Sequence, residues 1–203
     1  RLSFAIAGAQ KCGTSALDAY LRLHPDLSLG REKESHFFDR ESGIDWRDPN
    51  YALLHSSFDA PDDRLRGDAT PVTLYWTAAQ HRMARYNPDM RFIVLVRDPA
   101  DRAFSQWRMS RRNGWEALPF SSAIRQGRLR ILDDGPASIA ARRYSYVERG
   151  FYARQLKQLS EVFGWERIMV AKQDDLSQRP DDVLASVTSF LGVSRMPQLP
   201  QVR

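Results

Sequence analysis

The chain has 203 residues, 42% of them apolar and 27% charged, with a formal net charge of +5. That length supports one domain with a sizeable core, and no apolar run approaches the ~20 residues that a bilayer-spanning helix needs. The positive balance suits anionic partners such as nucleotides, sulfated or carboxylated glycans and nucleic acid, or else is a solvated surface with excess arginine.

Positive charge comes from 26 arginines and only 4 lysines, an arginine usage expected of a GC-rich bacterial source. Cys12 is the single cysteine. An internal disulfide is therefore excluded, which fits a reducing, cytoplasmic setting. No secretory signal pattern opens the chain. It starts on the edge of a strand, so an address or anchor trimmed from its N-terminus stays open.

Residues 3–7 read as a short buried strand, and 14–23 as a helix carrying Leu17, Tyr20 and Leu21 on one face. His24-Pro25 stops it. A second short strand, 27–29, leads into the charged stretch "REKESHFFD", and 40–64 reads as surface excursions with short helical pieces. "LRGDATP" is a strand ending in a loop at Pro71, followed by a helical pattern over 73–86. The clearest strand is "RFIVLV", 91–96, closed by Arg97-Asp98-Pro99, with Asp98 as cap and Pro99 in the first turn of the next helix. Residues 115–145 are arginine-rich helix and loop, and 151–164 a helix ending on glycine. A strand at 167–172 and a closing helix with Pro180 near its start complete the chain. Strands alternating with helices predict one α/β domain, P-loop-like, with a central parallel sheet covered by helices on both faces.

The loop "AGAQKCGTSAL" joins the first strand to the first helix. Loop amides and a helix N-terminus make an anion cradle. Gly8 and Gly13 permit a tight path and close approach of a ligand, while Thr14 and Ser15 add hydroxyl donors. Two glycines alone would be an ordinary strand-to-helix turn; strand, Lys11, hydroxyls and helix in register point to phosphate. A nucleotide triphosphatase would place lysine directly after the second glycine, and would need a carboxylate for Mg²⁺ at a neighbouring strand end. Here Lys11 precedes Gly13, and Arg97 ends the 91–96 strand. A cation there indicates a second anionic group on the ligand.

Three segments resemble the sulfotransferases that use 3′-phosphoadenosine 5′-phosphosulfate (PAPS), in their heparan-sulfate-type and bacterial branch. "AGAQKCGTSAL" is similar to their 5′-phosphosulfate loop, and "IVLVRDPADRAFSQW" to their 3′-phosphate segment. "LHPDLSLGREKESHFFD" is similar to the stretch that carries their catalytic glutamate. The order is kept along nearly the whole chain, through "GDATP" and "RGFYARQL". The resemblance implies a sulfotransferase domain over 1–203 that moves sulfonate from PAPS to an acceptor hydroxyl without a metal and releases the 3′,5′-bisphosphate, PAP. Fixed donors and one lysine suffice for a sulfonate, which carries less charge than a γ-phosphoryl group.

By the same resemblance Lys11 contacts the phosphosulfate and its bridging oxygen. Amides and hydroxyls of Cys12, Gly13, Thr14, Ser15 and Ala16 hold the 5′-phosphate, and Arg97 with Ser105 the 3′-phosphate. Glu34 is the general base. His36 shares its face if the segment is extended, and either orients the acceptor or acts as base itself. Asp68 lines the acceptor side or caps its loop; Phe37 and Phe38 belong to the core. The acceptor is a glycan, lipid, peptide tyrosine or secondary metabolite, with no nucleic acid and no membrane involved. Two departures stand out. Ala69 occupies a position where glycan-acting relatives carry lysine, and the glycine- and basic-rich segment that closes over their nucleotide has no counterpart before Arg203, as expected of a truncated chain. On the residues alone, two other readings stay open: an ATP-dependent P-loop kinase or hydrolase, and a non-catalytic polyanion or nucleic-acid binder using "RMSRR" and "RQGRLR". The latter stretches lack the aromatic interleaving of a single-strand binder.

Overall fold

The computed structural model describes residues 1–59, 63–135 and 137–197. Five strands, β1 (Leu2–Gly8), β2 (Leu27–Leu29), β3 (Leu65–Asp68), β4 (Arg91–Val96) and β5 (Ile168–Lys172), form one sheet in the order β2-β3-β1-β4-β5. Every pairing is parallel, with Ala5 opposite Asp68 on one side of β1 and Phe92 on the other. The expected α/β architecture is the one observed. The flanking helices are α1 (Thr14–Leu21), α2 (Ala52–His55), α3 (Thr77–Tyr86), α4 (Pro99–Arg112), α5 (Phe120–Asp134), α6 (Ile139–Tyr144), α7 (Tyr152–Phe163), α8 (Gln173–Gln178) and α9 (Pro180–Leu191).

The continuous apolar runs of β1 and β4 suit strands covered on both faces. Phe4, Ile6, Phe92, Ile93, Val94 and Leu95 are fully buried, each worth roughly 1.5–3 kcal/mol on removal from water. Phe37 and Phe38 join this core as expected. Gly8 closes β1 against the turn at Pro71–Leu74, where an added Cβ would lie 2.6 Å from the Leu74 Cβ. Its glycine therefore serves packing between chain segments, besides any approach of a ligand.

One predicted helix divides. The 73–86 pattern becomes a 3₁₀ turn, Pro71–Leu74, and then α3 from Thr77. The Gln80 amide explains the break: its Nε2 donates to the Thr73 and Leu74 carbonyls, which a continuous helix would have used itself. Residues 115–145 resolve into α5 and α6, and α8 is an element the sequence pattern did not reveal. The chain's last residues, on which the expected lack of a closing segment turned, lie outside the described residues.

The strand order sets the position of the site. From β1 the chain crosses to β2 on one side, whereas from β4 it crosses to β5 on the other. Neighbouring strands whose connections diverge leave a crevice at their carboxyl ends. The glycine loop follows β1 and Arg97 follows β4, so both border that crevice. The Ala9 amide, donating to the Leu95 carbonyl at 2.8 Å, ties the loop to β4.

Candidate active site

Gly13 stands at the N-cap of α1 with φ 86°, a left-handed conformation that glycine adopts without steric cost. Within the loop, the Cys12 amide donates to Ala9, and the Ala16 and Leu17 amides turn back to Gly13. The Cys12 and Ala16 amides, expected to hold phosphate, are therefore already engaged. The amides of Gly13, Thr14 and Ser15 stand at the open end of α1, where no earlier turn supplies carbonyls. Thr14 is buried, Ser15 and Ala16 are exposed. The Cys12 side chain points into the core, its Sγ 3.6 Å from the Tyr152 hydroxyl, and burial pushes the thiol pKa up.

Lys11, Arg97 and Ser105 line one open cleft of about 370 Å³, as the sequence pairing of the two segments requires. Asp98 does not serve the cleft: its Oδ1 accepts from the Ala100 and Asp101 amides at 2.9 and 3.0 Å, capping α4. Arg97 Nη2 lies 3.2 Å from Asp101 Oδ2. Two further cations, Arg108 and Arg112, line the same cleft from α4. Their spacing from Ser105, three and seven residues on, is one helical face and was available in the sequence, hidden inside "RMSRR".

The acid–base segment is not extended. Glu34 and His36 have φ of 63° and 49°, and with Lys11 at 72° they are the non-glycine residues of positive φ among the described residues. All three residues assigned to catalysis thus occupy the left-handed region, which costs a side-chain-bearing residue energy and is concentrated at functional sites. The turns, and not strand alternation, bring the pair together. His36 Nε2 lies 3.4 Å from Glu34 Oε2, and its Nδ1 3.0 Å from Oδ2 of buried Asp39. On its other side Glu34 Oε1 accepts from Lys33 Nζ at 2.6 Å. The Glu34 amide, donating to the Ala69 carbonyl at 3.2 Å, seats the segment on the end of β3.

Burial opposes ionisation of Glu34, but the His36 and Lys33 hydrogen bonds outweigh it and hold the carboxyl at about 2. Hydrogen bonds donated by the His36 ring to Asp39 and then to Glu34 raise it to about 9. At neutral pH this pair is a carboxylate and an imidazolium, and their titrations are coupled. Lys11 is lowered, mainly by burial and then by Arg112, while Glu34 raises it. Arg112 borders the Lys11 cleft, whereas Glu34 lines a separate one with Arg31, Ser35 and Phe37.

Asp39 and its partner Arg142 went unassigned in the sequence. Arg142 Nη1 lies 2.5 Å from Asp39 Oδ2, its Nη2 donates to the Asp39 carbonyl, and its guanidinium stacks 4.1 Å from the Trp76 ring. Asp39 ended the quoted "ESHFFD" and its spacing from His36 was a usable signal; Arg142, 103 residues away, offered none. Arg149 is buried, with no carboxylate partner among the described residues. It donates to Ser145 Oγ, the Arg142 carbonyl and Gln10 Oε1, and lies over Tyr75. Gln10 belongs to the glycine loop, so one guanidinium connects that loop to Arg142, which holds Asp39 beneath His36. Asp68 is buried at the end of β3, its Oδ2 without a hydrogen-bond partner among the described residues. Burial raises its carboxyl, against the neighbouring Thr70 and Ser35.

His36 supplies a stability signature. Its folded pKa, about 9, stands above the ordinary value of 6.5, so in that interval the native state holds more protons than the unfolded chain. The contribution is complete below pH 6.5 and is lost as pH rises through 9. Urea unfolding at pH 6 and pH 9 should show lower stability at the higher pH, and His36→Asn should flatten that difference. An equal slope in the variant would show that His36 is not held between two carboxylates. Half-exposed, the pair is screened by solvent and the effect is modest.

The molecule is thus an α/β domain built on a parallel sheet, with a cation-lined cleft at the carboxyl ends of β1 and β4 and a carboxylate–imidazole pair on the segment that follows β2. The chain belongs to the sulfotransferase domain family, whose sequence pattern matches residues 3–201. It is 32% identical over 199 residues to human heparan sulfate glucosamine 3-O-sulfotransferase 6, covering 94% of this chain and 52% of that protein. Human heparan sulfate glucosamine 3-O-sulfotransferase 3B1 is 30% identical over 195 residues, with 94% and 46% covered. The chain thus spans about half the length of the curated relatives it matches. The crystal structure of a sulfotransferase from Alicyclobacillus acidocaldarius superposes with a TM-score of 0.84 at 30% identity, covering all of this chain and 85% of that one. Mouse sulfotransferase SULT7A1, solved with PAP, shares the fold at a TM-score of 0.55 and 16% identity, over 95% of this chain and 58% of that one.

Proposed function

We infer that residues 1–203 act as one sulfotransferase domain that transfers sulfonate from PAPS to an acceptor hydroxyl. The observation that carries this reading is the meeting of Lys11, Arg97 and Ser105 in one cleft. Lys11 on the glycine loop and Arg97 at the end of β4 suit a ligand bearing two separate anionic groups. Arg97 and Ser105 would hold the 3′-phosphate; Lys11, the Thr14 and Ser15 hydroxyls and the free amides at the start of α1 would hold the 5′-phosphosulfate. When bound, PAPS supplies a sulfonate already activated by its anhydride link to phosphate. Lys11 and the α1 N-terminus stabilise charge on the departing oxygen, so the proposed reaction needs no metal.

Glu34 takes the acceptor proton. A carboxylate held at about 2 is a weak base, and a weak base is adequate here. The hydroxyl becomes strongly acidic as its oxygen bonds to sulfur, and Glu34 is ionised throughout the neutral range, ready to receive the proton. As an imidazolium, His36 orients Glu34 and the acceptor instead of acting as the base. Asp68, buried next to Ser35, supports the acid–base segment from below, which favours its loop role over direct acceptor contact. Acceptor candidates are glycan, lipid, peptide tyrosine or secondary-metabolite hydroxyls. The names of the human relatives put a heparan sulfate glucosamine first in the order of testing. The proposed setting is a bacterial cytoplasm; among the described residues no helix is long and apolar enough to cross a membrane.

A thermal-shift panel of PAP, ADP and ATP, each with and without Mg²⁺, tests the assignment. PAP should raise the melting temperature without Mg²⁺, by about 2.7 kcal/mol of stabilisation at a hundredfold excess over its Kd, or a few °C. A larger shift with ATP and Mg²⁺ than with PAP would transfer the chain to the kinase or hydrolase reading. Salt-steep polyanion binding with no response to any nucleotide would instead favour the non-catalytic binder.

A further inference from the structure

The proposed donor contacts leave two cations of the cleft without a task. Asp101, Ser105, Arg108 and Arg112 recur at helical spacing on one face of α4, and all four border the cleft with Lys11 and Arg97. Asp101 is the single acidic side chain there, and it is paired with Arg97. Arg108 and Arg112 have no hydrogen-bond or ion-pair partner among the described residues. The row has a direction. Arg97 and Ser105 occupy the end read as the 3′-phosphate site. Arg112 lies seven residues, about 10 Å of helix rise, beyond Ser105. Its charge falls on Lys11, as does that of Glu34. The unpaired guanidiniums therefore continue the cleft past Ser105, away from the end read as the 3′-phosphate site, on a face that Lys11 also borders.

We propose that Arg108 and Arg112 form an anion subsite for the acceptor, selecting hydroxyl substrates that carry a carboxylate or sulfate group close to the reacting hydroxyl. This rests on the sulfonate-transfer reading of the same cleft. Two guanidiniums held near one another and near Lys11 repel, and an anion between them relieves that repulsion. Arginine forks bind carboxylate and sulfate oxygens in pairs, which gives direction as well as charge. Neutral acceptors would leave both cations unmatched, so the subsite discriminates between acceptors as well as attracting the acidic ones. Phe104 and Met109, which border the same cleft, offer apolar surface for the body of such a molecule.

The test uses calorimetry on the wild-type chain and on the double variant Arg108→Gln/Arg112→Gln. The probes are PAP, a heparin-derived tetrasaccharide as the acidic ligand and maltotetraose as its neutral counterpart. The PAP-loaded wild type should bind the acidic tetrasaccharide and not maltotetraose. The double variant should bind the acidic probe at least tenfold more weakly, as expected for loss of charge-assisted contacts. Its PAP affinity should stay within about threefold of wild type. A control variant, Arg47→Gln/Arg125→Gln, removes the same charge from exposed positions that do not border the cleft and should leave both affinities within about twofold. The proposal is overturned if the double variant keeps its acidic-probe affinity, or if the control variant loses as much. It is equally overturned if PAP displaces the acidic probe from the wild type, or if the double variant loses PAP as strongly as Arg97→Ala, since the arginines would then belong to the donor. Failure of the wild type to bind PAP would count against the sulfonate-transfer reading separately. The unloaded protein would still report, with the same probe and variants, whether the two arginines hold an anion.

Discussion

Glu34→Gln should lower turnover by about 10²–10⁴ while PAP affinity stays nearly unchanged. The substitution keeps the size of the side chain and a carbonyl to accept from Lys33 or His36, and removes the negative charge and the proton-accepting oxygen. It also turns an amide N–H toward one of two donors that now meet carboxylate oxygens, Lys33 Nζ at 2.6 Å and His36 Nε2 at 3.4 Å. Some local rearrangement follows, and unchanged PAP affinity is the control that the donor cleft is intact. His36→Asn should cost less than Glu34→Gln if the imidazolium only orients. An equal cost would mean that base and orienter share the proton. Near-wild-type turnover in Glu34→Gln would remove Glu34 as the base. The measurement needs an accepted hydroxyl, with the acidic saccharides as the first candidates.

Lys11→Ala should weaken donor binding about tenfold or more and lower turnover by roughly 10²–10³, because in the proposed reaction its ammonium acts where charge develops on the departing oxygen. The backbone supplies an internal control. At φ 72° Lys11 stands in a region that disfavours any residue with a Cβ. Alanine keeps that strain and glycine relieves it. Lys11→Gly should therefore be as inactive as Lys11→Ala, yet no less stable to urea, since relief of strain offsets glycine's greater chain entropy. Recovery of activity in Lys11→Gly would show that the loop path matters and the ammonium does not. Turnover near wild type in both would dismiss Lys11 from the reaction.

The site was partly legible beforehand. The glycine loop, the Arg97-Asp98-Pro99 junction and the "ESHFFD" stretch each announce themselves within a dozen residues, because caps, turns and periodic burial are short-range matters. Asp98 caps α4 as its Asp-Pro context implies. Arg108 and Arg112 were visible as basic residues but not as cleft residues, since their helical face has meaning only once Lys11 stands opposite. Arg142 and Arg149 could not be found. Nothing local marks an arginine that grips a carboxylate 103 residues away, or an amide 139 residues away.

By itself the sequence determined the alternation of strands and helices, hence the parallel sheet, and the residue types on which the proposed donor site rests. Apolar periodicity and capping act between near neighbours, so they can be read from a single chain. Only the tertiary structure decided that β1 and β4 lie side by side, bringing Lys11 to Arg97 and Ser105. It also decided that Glu34 and His36 meet through two left-handed residues instead of along a strand, and that Asp39, Arg142 and Arg149 hold that arrangement from below. Those outcomes depend on sheet order and on contacts between distant segments. Their energies arise from burial and charge pairing that exist only after the chain has closed on itself.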